Sequence, residues 1–375
     1  MNPSAVIRVV HLVPHLSTGG AELQLLHLVA NTPPGRAVHR VLYYGESDDH
    51  EAQRLFADRG VDARLVPRSS RLSPTFVARL GRAIEEARPD VVHCWLPNAC
   101  LWGRLAARRG EGRRLLLSIR GTRIAMGRSL RIARLTGDRG VYYLGNTRAV
   151  AAAIRRDIGA PPERIGIVPN GVAPVHGDRA AARAALLAEH GGGSATRIVL
   201  SVGRLAIDKN YPMLLRVARR FAPAESVRFF IVGPGELEAS LAREARRMGL
   251  EGRVHFLGLR RDVPDLMAAA DLFAFTSRTE GAPNALLEAM LAGLPIVTTR
   301  FEGLEDLLTP DREARVVDHD DDAGFEAAIR RLFDDAAASR ALGAEARSTA
   351  VGRFGIPAMV EATLAFYRRI LDAPD

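Results

Sequence analysis

A single lysine stands among the 52 cationic side chains of this 375-residue sequence. It closes the segment Gly203-Arg204-Leu205-Ala206-Ile207-Asp208-Lys209-Asn210, directly after the apolar run Ile198-Val199-Leu200-Ser201-Val202. An ammonium is a compact, mobile point charge that can follow a phosphate group, whereas a guanidinium is a rigid fork that grips two oxygens. Arg204 and Lys209, delivered together by the end of one strand, suit a diphosphate.

A second motif, Glu280-Gly281-Ala282-Pro283-Asn284-Ala285 running on to Pro295, follows the strand-like run Asp271 to Thr276. It reads as strand, loop and helix. Gly281 is expected to take a backbone conformation closed to other residues, Pro283 suits the first helical turn, Gly293 suits a left-handed stop, and Pro295 blocks continuation. Glu280 then sits in the loop, and Glu288 falls a little over one turn into the helix. The helix amino end directs N–H groups at whatever lies between the two acids. Carboxylates do not bind phosphate, so their partners are hydroxyls, a ribose diol for one and a sugar ring for the other. Each charged hydrogen bond of that kind is worth about 1.5 to 3 kcal/mol. The implied ligand is a nucleotide sugar.

With these residues in view, the chain resembles the retaining glycosyltransferases of family 4, whose fold is GT-B, an α/β architecture of two Rossmann-like doubly wound domains facing across a cleft. The resemblance covers nearly the whole chain. It rests on Gly19-Gly20-Ala21-Glu22, Asp90-Val91-Val92-His93, Pro169-Asn170-Gly171-Val172, Gly203-Arg204 with Lys209-Asn210, Gly233-Pro234-Gly235, Val254 to Gly258, and Glu280 with Glu288, the last pair being the most specific. It implies that Arg204 and Lys209 hold the donor diphosphate, that Glu280 meets the transferred sugar and that Glu288 meets the ribose. It further implies that Gly19 and Gly20 bring backbone N–H groups to the same phosphates and that the base is read near Leu259, Arg260 and Arg261. Sugar selection would fall to the loop Ala282 to Ala285, and acceptor choice to the loops Gly45 to Gln53 and Arg123 to Gly137.

The elements that must position these residues alternate between strand and helix. Apolar runs at Ile7 to Val13, Arg40 to Tyr44, Val91 to Cys94, Leu115 to Ile119 and Tyr142 to Asn146 describe one doubly wound domain, and a second series begins at Ile198. The length favours two domains. We expect an acceptor-side domain over 1–173, a linker over 174–195 with an alanine-rich helical stretch and Gly191-Gly192-Gly193, a nucleotide-sugar domain over 196–355, and a helix over 356–375. That last helix shows helical apolar spacing at Met359, Val360, Leu364, Phe366, Tyr367 and Ile370, and in the resembled fold it crosses back to the first domain. Ligands of open α/β sheets sit outside the carboxyl ends of the strands, where each motif falls, so the cleft is expected between the domains.

Two cysteines, Cys94 and Cys100, make neither a disulfide scaffold nor a common zinc pattern, and no signal segment or membrane span is recognisable, which predicts a reduced, cytoplasmic protein. The net charge of +9 is uneven. Arg104, Arg108, Arg109, Arg113, Arg114, Arg120, Arg123, Arg128, Arg131, Arg134 and Arg139 crowd the first domain. Leu130, Ile132, Ala133 and Leu135 interleaved with Arg131 and Arg134 suggest a basic amphipathic helix for an anionic membrane surface on the inner face of the membrane. A solvated arginine face explains the same residues. No nucleic-acid motif is present.

Many relatives carry a histidine where this chain has Arg120, which cannot act as a base but can steady phosphate charge or an acidic acceptor. His93 is the other acceptor-side candidate, against the plainer reading of a hydrogen-bonded strand-end histidine. A retaining transfer can let the leaving phosphate take the acceptor proton, so no dedicated base is required, and catalysis would rest on Glu280, Arg204 and Lys209. No cofactor and no metal are expected, because the cations neutralise the diphosphate and the acidic runs Asp48-Asp49-His50 and Asp318 to Asp322 read as solvated turns. The acceptor would be a glycan or lipid-linked sugar in polysaccharide or lipopolysaccharide synthesis. A non-catalytic nucleotide-sugar-binding protein or a sugar-nucleotide epimerase would share the architecture. A nicotinamide dehydrogenase lacks its third glycine, since Glu238 stands there, and a pyridoxal enzyme would have to use Lys209.

Overall fold

The computed structural model of the chain describes residues 5–45, 50–68, 74–107, 113–122, 140–175, 177–222 and 224–374. Two compact units emerge from it. One takes residues 1–171 and 356–375, the other residues 172–355.

The first unit is built on a parallel sheet of β1 (Ile7–Val13), β2 (Ala37–Tyr43), β3 (Ala63–Leu65), β4 (Val91–Trp95), β5 (Arg114–Ser118), β6 (Val141–Gly145) and β7 (Ile165–Ile167). Their order is β3-β2-β1-β4-β5-β6-β7. A parallel sheet is covered on both faces, which is why β1 reads as a nearly continuous apolar run. Val10 and Leu12 join one core with helices Pro74–Glu86 and Leu96–Ala106. Ile7, Val9 and Val13 join the other with helix Gly20–Asn31 and the C-terminal helix Ile356–Asp372. All six apolar positions picked out by spacing in that last helix are buried. At Gly166 on β7 a side chain would run into the Phe366 ring, so glycine there lets the helix lie close against the sheet. Arg114, buried at the start of β5, donates to the Ile370 carbonyl at 2.9 Å and fixes the helix end.

The second unit holds β8 (Arg197–Val202), β9 (Val227–Val232), β10 (Val254–Phe256), β11 (Leu272–Phe275), β12 (Ile296–Thr299) and β13 (Arg315–Val317), parallel and in the order β10-β9-β8-β11-β12-β13. The segment 174–195, expected as a linker, carries helix Arg179–His190, which is built into this unit. Asp178 caps it by accepting from the amides of Ala180 and Ala181, and Leu186 and Leu187 enter the core. Arg179 and Arg183 both reach Asp271, just before β11. Sequence alone sees the flanking Gly191-Gly192-Gly193 but not the carboxylate that the two arginines share.

Each sheet reverses its strand order once, between β1 and β4 and between β8 and β11. Such reversals open a crevice at the carboxyl ends, and the lysine and glutamate motifs follow β8 and β11.

Candidate active site

At the second reversal the two motifs meet. The Lys209 ammonium forms an ion pair with Glu280, both side chains being largely buried. Thr276, directly after β11, donates from Oγ1 to the Lys209 carbonyl at 2.8 Å, and the Arg278 amide donates to the Asp208 carbonyl at 2.8 Å. The loop after β8 is thus stitched to the loop after β11. Asn210 takes a left-handed conformation at φ 52°, which turns the chain from Lys209 into helix Tyr211–Arg219, and the Phe275 ring lies 5.7 Å from the ammonium. Tyr211 donates from its hydroxyl to the Gly203 carbonyl at 2.9 Å and closes the loop from below. Thr276, Phe275 and Tyr211 were not picked out from sequence, since their roles depend on contacts between two strand ends.

The ion pair changes the division of labour expected from sequence. Lys209 and Glu280 are partners within the chain itself, so the ammonium is oriented by a carboxylate. An ammonium has three N–H donors, and Glu280 takes one. Arg204 is mostly exposed, with Asp208 at 3.9 Å.

Glu288 is the fifth residue of helix Asn284–Ala292 and is part-buried. Burial pushes its carboxyl up to about 7. Gly293 ends the helix left-handed at φ 72°, as its position suggested. Two local expectations change. Pro283 precedes the helix as its N-cap residue, and Gly281 is buried without belonging to the left-handed glycines. Ala282 and Pro283 are buried beside it, while Asn284 and Ala285 are part-buried.

Gly233 has φ 133°, and a side chain there would strike the Gly203 carbonyl; one at Gly235 would strike the Leu205 backbone. The Gly203 amide donates to the Val232 carbonyl at 2.9 Å and the Leu205 amide to the Pro234 carbonyl at 2.8 Å. The Gly-Pro-Gly run therefore lets the loops after β8 and β9 pack backbone to backbone. In the loop after β10, Leu259 is 63% exposed, Arg261 is exposed, and Arg260 forms a forked bond with Asp262 at 2.8 and 2.6 Å. The acidic run Asp318 to Asp322 is spoken for: Arg278 and Arg216 reach Asp320, Arg300 reaches Asp318, Arg216 reaches Asp322, and Asp321 caps helix Asp322–Asp334.

In the first unit, Gly19 is the N-cap of helix Gly20–Asn31 and both glycines are exposed. A side chain at Gly19 would crowd the Glu22 carboxylate, whose pKa burial raises. His93 lies inside the core with no exposed surface. Its Nδ1 meets the Tyr367 hydroxyl and its Nε2 the Ser118 hydroxyl, each at 2.7 Å. With both ring nitrogens engaged, His93 has the structural role and does not reach a ligand.

A directional chain lies beside it. Trp95 donates to His11 Nδ1, which leaves the proton on His11 Nε2; that nitrogen faces His39 Nδ1 at 2.9 Å, and His39 Nε2 faces Thr32 at 3.0 Å. Burial lowers the pKa of all three histidines, so they are neutral. Among the clustered arginines, Arg104 bonds Tyr143, Arg113 pairs with Glu85 and Arg114 holds the C-terminal helix, so these three do not form a solvated basic face. Arg108, Arg109, Arg123, Arg128, Arg131, Arg134 and Arg139 lie outside the described residues. So do residues 46–49 and 123–139 of the proposed acceptor loops, Asp48 and Asp49 among them, and the amphipathic segment 129–135. No helix among the described residues is long and apolar enough to cross a membrane.

Residues 196–335 match the family model described as glycosyl transferases group 1, and residues 8–175 match that of glycosyltransferase family 4. The chain belongs to the family 4 glycosyltransferases. It is 31% identical over 167 residues to the lipopolysaccharide core biosynthesis glycosyltransferase LpsE of Rhizobium meliloti, covering 44% of this chain and 48% of that protein. It is 30% identical over 186 residues to a UDP-Gal:alpha-D-GlcNAc-diphosphoundecaprenol alpha-1,3-galactosyltransferase of Escherichia coli, covering 48% of each. The matched stretch thus spans about half the length of these relatives. The fold is GT-B: Anabaena HepE, solved with UDP and glucose, superposes with a TM-score of 0.82 at 22% identity over 96% of this chain and 99% of that one.

Proposed function

We propose that the protein transfers a sugar, with retention, from a nucleotide-diphosphate sugar to a glycan or lipid-linked acceptor in lipopolysaccharide or polysaccharide synthesis, without a metal. The observation that carries this reading is the Lys209–Glu280 pair held at the strand reversal of the second sheet, with Glu288 on the helix that follows. Lys209 and Arg204 take the diphosphate, and Glu280 orients Lys209 while presenting its second oxygen to the sugar. Glu288 accepts from the ribose diol, and the chain near Leu259, Arg260 and Arg261 faces the base. As the sugar–phosphate bond breaks, charge grows on the leaving oxygen. The two cations then stabilise the transition state more than the bound donor, which is the condition for raising turnover. The LpsE and galactosyltransferase relatives support the class of acceptor, and the UDP-Gal donor of the latter points to uridine as the base to try first. A lipid-linked acceptor would bring the protein to the inner face of the membrane as a peripheral, cytoplasmic enzyme.

The test is a thermal-shift panel of UDP, GDP, ADP and their sugar conjugates in EDTA, on wild type and Lys209→Ala. Stabilisation by one base, lost in the variant, is the expected result. A wild type indifferent to every nucleotide, or dependent on added magnesium, overturns the corresponding part of the reading. Co-sedimentation with anionic vesicles tests the membrane role, which fails if no binding occurs at modest salt.

A further inference from the structure

The carboxyl edge of the first sheet holds a part-buried cation with no counter-ion among the described residues. Arg120, two residues beyond β5, lays its guanidinium over the Trp95 ring at 4.5 Å and donates from Nη1 to Asn170 Oδ1 at 2.9 Å. Its Nε is buried and bonded to nothing, and no carboxylate among the described residues pairs with it. Desolvation alone lowers its pKa, to about 10. Buried charges are ordinarily paired, because an unpaired one forfeits its hydration.

The neighbouring amides can be oriented by elimination. Arg120 only donates, so the atom of Asn170 facing it is the oxygen. Asn146, directly after β6, approaches that same oxygen at 3.5 Å and must present its NH₂ there. The Asn146 carbonyl is therefore turned the other way, and it too is buried and unpartnered, in a residue only 3% exposed. Thr122, 2% exposed, has a third unpartnered polar atom on the same stretch of chain as Arg120. Two residues that share the Asn170 oxygen thus each keep an unpartnered polar atom, a donor on the Arg120 cation and a neutral acceptor on Asn146. A bare anion satisfies the first and not the second.

We infer that Arg120, Asn146 and Asn170 form a subsite for an anionic sugar, which gives a carboxylate or phosphate oxygen to the guanidinium and a hydroxyl to the Asn146 carbonyl. The sugar half of this assignment rests on the glycosyl-transfer reading, and the anionic half on the unpaired charge.

The experiment uses the full chain and ligand-observed NMR with glucuronate, glucose 6-phosphate, inorganic phosphate and glucose, with UDP as a separate arm. Wild type should bind glucuronate or glucose 6-phosphate about tenfold more tightly than glucose, and Arg120→Gln should lose that preference. Asn170→Asp puts a carboxylate where Oδ1 already touches Arg120. It should keep the fold, raise the melting temperature by pairing the charge, and abolish the response to anions. Preference for glucuronate identifies a sugar acid, and preference for glucose 6-phosphate identifies a phosphosugar. The inference is overturned if glucose binds as well as the anionic sugars, if no anionic sugar binds wild type, or if Arg120→Gln keeps the preference. Inorganic phosphate binding as tightly as glucose 6-phosphate overturns the sugar half. A wild type that ignores UDP but discriminates anions would sink the donor reading and leave this one standing.

Discussion

Replacing Glu288 with glutamine removes a charge while keeping the side chain's shape, and the structure states what that charge costs. The carboxyl is part-buried, and burial raises its pKa from the ordinary 4.5 to about 7. At about 1.4 kcal/mol per pKa unit, that gap is on the order of 3 kcal/mol. The sign follows from linkage. The folded chain holds this proton more tightly than the unfolded chain, so the cost is absent below pH 4.5, grows between 4.5 and 7, and is complete above 7. Glutamine never ionises. Glu288→Gln should therefore match wild type near pH 4.5 and be more stable by up to that amount at pH 8, as read by denaturant unfolding across the range. The same variant should bind a nucleotide more weakly by about 1.5 to 3 kcal/mol, the worth of a charged hydrogen bond. Calorimetry at pH 6.5 in buffers of different ionisation enthalpy should detect a proton released by wild type on binding and none released by the variant. Equal relative stability at pH 4.5 and pH 8 would refute the buried-carboxylate argument. A stabilised variant with unchanged nucleotide affinity would leave the burial standing and remove Glu288 from the ribose.

Lys209→Ala should lower turnover as well as donor affinity, with kcat falling more than KM rises; unchanged kcat in a steady-state transfer assay would remove the lysine from the leaving-group site. In the first unit, His39 has its pKa lowered to about 4 by burial. Its neutral form therefore contributes stability that is present above pH 6.5 and lost as pH falls towards 4, a slope opposite to that of Glu288, and His39 should show no titration by NMR above pH 5. Gly233→Ala places a side chain against the Gly203 carbonyl at φ 133° and should cost about 1 to 3 kcal/mol. An unchanged unfolding midpoint would show that the loops after β8 and β9 do not depend on that approach.

The sequence announces strands well where burial on both faces makes them uninterrupted: β1, β4, β5, β6 and β8 are visible as apolar runs with their ends in nearly the right place. The three-residue strands Ala63–Leu65 and Ile165–Ile167 are not. Each lies at an edge of the first sheet, where pairing with one neighbour rather than any pattern of its own makes it a strand. Helix Arg179–His190 was legible as a helix but not as part of the second unit. Its polar face looks solvated in sequence, and only the fold brings Asp271 to Arg179 and Arg183.

The site divides along the same line. Glu280, Glu288, Arg204 and Lys209 stand out as candidates because each combines an unusual residue type with a strand-to-helix signature, and a strand order that reverses between β8 and β11 then has to bring their loops together. What could not be read was which of them touch. A lysine and a glutamate 71 positions apart form a pair only through that topology, and the pairing makes one oriented unit of two side chains that the sequence presents separately. Arg120 shows the converse. Its type was conspicuous, but its partial burial, the lack of an acid beside it among the described residues and the orientation of two asparagines come from three strands ending side by side. Those relations turn an odd arginine into the basis for an anionic-sugar proposal that binding measurements can test.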